Sequence, residues 1–318
     1  MFSYLAPLKF WDTFFFEDKP TQGVAVFRII WSALILIYFL LDLYNVDDFY
    51  GPHALTSLET VRQQFPYVHA NVFHFLGASY EVTYALLTLY GIAILFTMIG
   101  LFTKSSLIVM IICMTSFHQR NIWLLSSSEV LMRSISLLLL FTPCGQSLSI
   151  DSIVNRYKYG IPKKCTSPVW GLRMIQIQIS VIYLWTVWHK LKGETWYDGS
   201  AVYYATRLES MTNLPMPYLM DSVFFLKAAT WGTLITEFSL GVLIWFKEFR
   251  KPVIMIGILF HLGIEYLMSI PFFELYMIAL LLNFYTPEEH AAFIEKIQAF
   301  WSRGLKDIPN LKKSLIKS

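Results

Sequence analysis

Eight apolar stretches, at residues 24–44, 83–102, 107–117, 130–141, 170–188, 228–246, 254–268 and 275–285, constrain this chain more than any other feature. The first can cross a hydrocarbon core of roughly 30 Å. Its only charges, Arg28 and Asp42, sit near its two ends, where polar tips can reach the headgroups. Backbone in hydrocarbon must satisfy its own hydrogen bonds, so segments of this kind are helices. Composition points the same way. The chain is 56% hydrophobic and only 15% charged, against roughly 25% charged in soluble domains. Its 26 Phe, 18 Tyr and 10 Trp suit a protein with aromatic side chains at both membrane interfaces. The expected fold is all-α: a polytopic helical membrane protein of about eight transmembrane helices, with interfacial helices at both ends.

Three regions follow. Residues 1–20 are aromatic but broken by Lys9, Asp12, Glu17 and Asp18, which suits an interfacial helix better than a signal peptide. Residues 21–285 form the transmembrane domain. Residues 286–318 begin Thr-Pro-Glu-Glu, a helix-start pattern, and place Phe293, Ile297, Phe300 and Trp301 on one face of a basic amphipathic tail. Lysine and arginine then orient the bundle. They crowd the side shared with the termini, at Lys9, Lys19, Lys104, Arg156, Lys158, Lys163, Lys164, Lys247, Arg250, Lys251 and the tail. They are sparser at Arg62, Arg120, Lys190, Lys192, Arg207 and Lys227. The expectation is a plasma-membrane protein with both termini cytoplasmic and Lys190 at the outer face.

Other classes of function find no support. A net charge of +3 is too small to suggest nucleic acid as a partner. Cys113, Cys144 and Cys165 share no metal-type spacing and read as structural thiols, and His53, His69 and His74 lack ligand spacing, so no metal site is expected. No nucleotide-binding glycine loop or internal repeat is present.

Ionisable groups inside spans are costly and face a partner or a cavity. Arg173, Gln176 and Ser180 form one stripe, which Gln178 extends, and interhelical hydrogen bonding accounts for it as readily as a site does. Glu129 and Arg133 are spaced to neutralise each other, and His261 and Glu265 are spaced to pair. Glu237 lies inside the sixth span. Lys190 ends the fifth, in Tyr183-Leu-Trp-Thr-Val-Trp-His-Lys190-Leu-Lys-Gly-Glu-Thr-Trp196-Tyr-Asp-Gly199. It is either an interfacial anchor or a base, and Lys192 is the competing lysine. Together Glu237, His261, Glu265, Gln178 and Lys190 predict a polar cavity among the helices.

The order of several of these residues matches a known family. Phe27-Arg28 comes first, then the run from Ser126 to Ser149-Ile150-Asp151. Gln178, Tyr183, Lys190-Leu191, Trp196 and Gly199 follow, then Glu237-Phe238-Ser239-Leu240-Gly241, Phe260-His261 and Phe272-Phe273. The chain thereby resembles the horizontally transferred transmembrane domain (HTTM) family, to which vitamin K-dependent γ-glutamyl carboxylase belongs. The resemblance implies a reduced naphthoquinone (vitamin K or menaquinone) as cofactor, with Lys190 as the base that deprotonates it. Reaction with O₂ then gives an alkoxide base and an epoxide, and in the carboxylase that alkoxide starts glutamate carboxylation. By the same resemblance His261 is catalytic, and Gln178, Tyr183, Trp196 and Glu237 face the cofactor. The partners implied are the lipid bilayer, a quinone and a secreted peptide or protein. Two departures stand out. Gln146 occupies the position read as the family's catalytic histidine, and the carboxylase's large lumenal domain has no counterpart. Some bacterial relatives act beside peptide-toxin systems, which implies a non-enzymatic alternative: assisting maturation, export or immunity of a secreted peptide.

Overall fold

The computed structural model describes residues 5–65, 71–159, 165–208, 211–212, 221–286, 288–290, 292 and 295–296. Each of the eight apolar stretches falls largely within a helix. Helix α1 (Leu5–Phe16) precedes strand β1 (Asp18–Pro20), and α2 (Gln22–Asp42) is the first long helix. An excursion then carries short helices α3 (Val46–Phe49), α4 (Leu58–Gln64) and α5 (Val72–Leu76). Next come α6 (Tyr80–Ile99), α7 (Thr103–Arg120), α8 (Ser127–Leu140) and α9 (Ile150–Tyr159). Strand β2 (Thr166–Pro168) leads into α10 (Trp170–Lys190) and the short α11 (Glu194–Asp198) and α12 (Ala201–Ala205). The last three are α13 (Val223–Gly241), α14 (Lys247–Leu267) and α15 (Phe273–Leu281).

The connections alternate between two ends of a bundle. At one end β1 pairs antiparallel with β2, Lys19 opposite Ser167, and Thr21 bonds Ser147 at 2.6 Å. Gly100 lies there against Ser149, and Gly171 against the Phe141 carbonyl. At the other end Arg120 bonds the carbonyls of Thr56 (2.9 Å) and Gly51 (3.0 Å), and Ser128 bonds that of Pro271 (2.8 Å).

Side chains sort as a bilayer demands. The core is apolar: Trp31, Ile35, Leu107, Met110, Ile135, Ile175, Ile179 and Leu280 are fully buried. Large apolar groups such as Leu40, Ile92, Ile112, Ile235 and Leu259 are exposed on the outside of long helices. So much exposed apolar surface is untenable in water and normal in lipid. Helices Gln22–Phe49, Tyr80–Ile99 and Val223–Trp245 are long and apolar enough to cross a membrane by length and composition. The others are shorter, or carry polar groups that the bundle uses internally: Arg173, Gln176 and Lys190 in α10, and a charged first turn in α14.

Two expectations are corrected here. Arg28 does not snorkel. It is fully buried and donates to the carbonyls of Cys144, Leu148 and Met98, tying α2 to the last turn of α6 and the loop after α8. Glu129 attracts Arg133 without a salt bridge among the described residues, and its hydrogen bonds go elsewhere: it caps α8 through Ser126 and accepts from Tyr38. The Ser149-Ile150-Asp151 motif proves to be a brace, because Asp151 accepts from the Phe102 and Thr103 amides (2.8 Å each) and the Thr103 hydroxyl (2.7 Å) at the start of α7. Helix α1 occupies the segment expected to be interfacial, with Phe10, Trp11 and Phe16 exposed. The tail residues Phe293, Ile297, Phe300 and Trp301, together with His69, Lys163 and Lys164, lie outside the described residues.

Candidate functional site

Cα–Cβ bonds tilt toward a helix's N-terminus, so a lysine at a helix's C-terminal end points its ammonium back along the helix. Lys190, the last residue of α10, does this and forms an ion pair with Glu237 of α13. Its side chain is 21% exposed and that of Glu237 8%. Trp196 covers the pair, its ring centroid 5.0 Å from Lys190 Nζ, a cation–π contact that survives where water is scarce.

The turn after α10 holds Trp196 there. Gly193 accommodates the indole, since a Cβ at that position would lie 3.2 Å from it. The Trp196 carbonyl accepts from Trp231 Nε1 at 3.2 Å. Gly199 closes α11 with φ +84°, where a Cβ would come within 2.7 Å of the Lys227 side chain, and Thr230 bonds its carbonyl at 3.0 Å. Only glycine takes that conformation without strain.

A second chain of polar groups lies within electrostatic reach. Tyr183, seven residues before Lys190 and so on the same face of α10, meets His261 Nε2 of α14 at 2.7 Å. His261 Nδ1 meets the carboxylate of Glu274 in α15, and all three side chains are buried. An ionised Glu274 only accepts, so Nδ1–H donates to it, and Nε2 then accepts from the tyrosine hydroxyl. Phe272, in a left-handed conformation at φ 62°, turns the chain into α15 and sets Glu274 in its first turn. Glu237 interacts electrostatically with His261 and Glu274 as well as with Lys190. Its second oxygen, Oε2, is buried without a hydrogen-bond partner among the described residues.

The structure therefore gathers five of the six expected site residues: Lys190, Glu237 and Trp196 in one contact set, Tyr183 and His261 in the neighbouring one. Gln178 stands apart, about 140° around α10 from Tyr183 at 100° per residue. The Arg173–Gln176–Ser180 stripe is taken up by hydrogen bonds, Arg173 to Gln176 within α10 at 2.8 Å, and beyond the helix Gln176 to the Asn283 carbonyl at 2.7 Å and Trp245 to Ser180 at 2.7 Å. His261 takes Glu274, not Glu265, as its carboxylate. The i, i+4 rule read within one helix, whereas the partner comes from the next. Glu274 was overlooked because it stands one residue before the apolar stretch at 275–285. Lys192 is exposed and lies over Trp188, its Nζ 5.2 Å from the ring centroid, so Lys190 alone of the two lysines holds the carboxylate. Gln146 is at the far end of the bundle, beside Cys165, while α10 spans about 30 Å from Trp170 to Lys190. The three cysteines are free thiols, and the described residues hold no cluster suited to a metal.

The sequence profile of the HTTM domain family matches residues 16–288. Among curated proteins, sporulation-delaying protein SdpB of Bacillus subtilis (strain 168) is 32% identical over 123 residues, which is 36% of this chain and 38% of SdpB. Uncharacterized protein YitO of the same organism is 25% identical over 121 residues, again 36% of this chain and 38% of that protein. The chain thus aligns with well under half the length of either relative. No solved structure matches.

Proposed function

The chain belongs to the HTTM domain family, and on that premise we propose that its Lys190 site carries out proton chemistry on a lipid-borne reduced naphthoquinone. The observation behind this reading is the Lys190–Glu237 pair, part-buried beneath Trp196 and beside the Tyr183–His261–Glu274 chain. The residues fit such a group. Glu237 Oε2 is a buried acceptor lacking a donor, a quinol hydroxyl is a donor, and the Trp196 face suits a flat ring. When bound, the quinol supplies an acidic hydroxyl and an electron pair for O₂.

Lys190 Nζ donates a proton in a hydrogen bond to Glu237 Oε1. In poorly solvated surroundings, moving it to the carboxylate removes two charges and leaves a neutral amine whose lone pair is a base. Trp196 excludes water from that amine. His261, held by Glu274 on one nitrogen and Tyr183 on the other, offers a second route for a proton.

Eight crossings complete the reading, with residues 21–285 as the transmembrane domain, both termini cytoplasmic and Lys190 facing outward. A membrane-impermeant thiol reagent should label Gly193→Cys in intact cells, and native Cys165, at the opposite end, only after lysis. The reverse pattern overturns the orientation.

The chemistry is tested on purified protein given reduced menaquinone and O₂, with mass spectrometry for the epoxide. Native protein should form it and Lys190→Ala should not. No epoxide from the native protein, or equal amounts from both, defeats the proposal. A second reading, assistance to a secreted peptide's maturation, export or immunity, draws support from the 32% identity with SdpB. Under it, cellular handling of the peptide should survive Lys190→Ala and fail on deletion of the whole chain.

A further inference from the structure

A cleft lies at the β1–β2 end, far from Lys190, and is lined in part by Lys19, Arg173, Trp245, Arg250 and Asn283. Arg173 and Arg250 are close enough to repel each other. Neither has a carboxylate in salt-bridge contact among the described residues. Glu17 attracts Arg173 and Glu289 attracts Arg250 at longer range, but their close contacts are with Lys19 at 3.2 Å and Lys251 at 2.8 Å. Arg173 uses Nε on the Phe14 carbonyl (3.1 Å) and Nη1 on Gln176 (2.8 Å). Among the described residues Arg250 makes only long bonds, to the carbonyls of Ile244 (3.4 Å) and Trp245 (3.5 Å). Both guanidiniums thus keep N–H donors without a partner among the described residues. Asn283, 3% exposed, has its Oδ1 buried without a donor among the described residues.

Two mutually repelling guanidiniums in a cleft call for an anion. The unmatched amide oxygen beside them calls for a hydroxyl. The level in the membrane follows from α1, whose Phe10, Trp11 and Phe16 are exposed, and from Phe14, which stacks under Arg173 at 4.4 Å. Aromatic side chains of this kind settle at headgroup depth, and basic pockets between helices at that depth hold lipid phosphates.

We propose that this cleft binds a polyol phosphate, with Arg173 and Arg250 on the phosphate and Asn283 on a hydroxyl, the natural source being the headgroup of a glycerol-bearing anionic phospholipid. The site is independent of the Lys190 chemistry.

Thermal unfolding of the delipidated full chain in detergent tests it with three probes: phosphatidylglycerol, sn-glycerol 3-phosphate and zwitterionic phosphatidylcholine. Phosphatidylglycerol should raise the midpoint, and phosphatidylcholine at the same mole fraction should not. A shift with glycerol 3-phosphate as well supports the same site with a soluble source, and no such shift confines the source to lipid. Arg250→Gln, which leaves the Arg173 contacts intact, should weaken binding about tenfold, the effect of losing one charge-assisted hydrogen bond. Arg250→Lys should recover part of it. No shift with either phosphate, an equal shift with phosphatidylcholine, or an unchanged response in Arg250→Gln overturns the proposal.

Discussion

Lys190 turns back from the last residue of α10 to meet Glu237, the two charges joining helices α10 and α13 beneath the ring of Trp196. An anchoring lysine would extend outward into the headgroups. This one spends its charge within the bundle. Removing one member of such a pair strands the other in poor solvent, which typically costs about 3 kcal/mol when the pair is buried and less in proportion to residual exposure. Glu237→Leu should therefore lower the unfolding midpoint in detergent more than Lys190→Met combined with Glu237→Leu. If the double variant is as unstable as the sum of the singles, the pair is not the unit described here.

The Tyr183 hydroxyl makes one hydrogen bond to His261 and leaves the ring's packing independent of it. Tyr183→Phe should cost only about 1 kcal/mol of stability, whereas Glu274→Gln disturbs the charge that orients the imidazole. Epoxide formation separates the two roles. A relay predicts that both variants slow it with stability nearly kept in Tyr183→Phe, and an unchanged rate in both removes the His261 chain from the chemistry.

How far the sequence carried can be read residue by residue. Hydropathy located helical segments, three of them long and apolar enough to cross a membrane, because a 3.6-residue period and the demand for internal backbone bonding act locally. It also marked Lys190, Glu237 and His261, since charge inside an apolar stretch is conspicuous. Pairings between helices were beyond it. Glu274 as the partner of His261, Arg28 as a clamp on loop carbonyls, and Asp151 as a cap on α7 all depend on tertiary placement, and a single-helix spacing rule pointed His261 to Glu265 instead. Gln146 illustrates the same limit, as likeness of order put it beside the site and the bundle puts it about one membrane thickness away.

Arg28 offers the clearest stability test away from the site. Its guanidinium supplies donors to carbonyls at Cys144, Leu148 (2.6 Å) and Met98 (3.4 Å). Arg28→Met leaves those acceptors bare and should cost about 3 kcal/mol, and Arg28→Lys should recover little because one ammonium cannot reproduce the planar fork. Near-native thermal stability in Arg28→Lys would show that charge rather than geometry is what the loop needs.

Asp151 should behave as a remote helix cap. It accepts three hydrogen bonds at the start of α7, where a negative charge also complements the helix dipole. Asp151→Asn keeps some acceptor capacity and should cost about 1 kcal/mol, and Asp151→Ala about 2 kcal/mol. Hydrogen exchange should locate the loss at residues 100–106. A loss spread evenly over the bundle contradicts a capping role.

Acid should loosen the chain's C-terminal docking through His290. This residue is buried against Gly23, where any Cβ would come within 2.7 Å of the imidazole. Burial holds its pKa below the ordinary 6.5, outweighing the opposing influences of the Leu282 backbone and the Glu289 carboxylate. The docked form favours neutral imidazole, while the undocked form takes up a proton near 6.5. Stability from this contact is complete above that value and falls as the pH drops from 6.5 through the lowered docked-state pKa. Nearby Glu289 is also held below the usual carboxylate range: its own burial pushes upward, but the Lys251 ammonium and the Thr286 amide outweigh it. Its effect on stability therefore falls at lower pH than that of His290. Amide exchange at residues 22–26 and 284–290 should accelerate between about pH 7.5 and about pH 5.5 beyond the intrinsic pH effect, and His290→Gln should flatten that response. An identical response in His290→Gln assigns the acid sensitivity to another group.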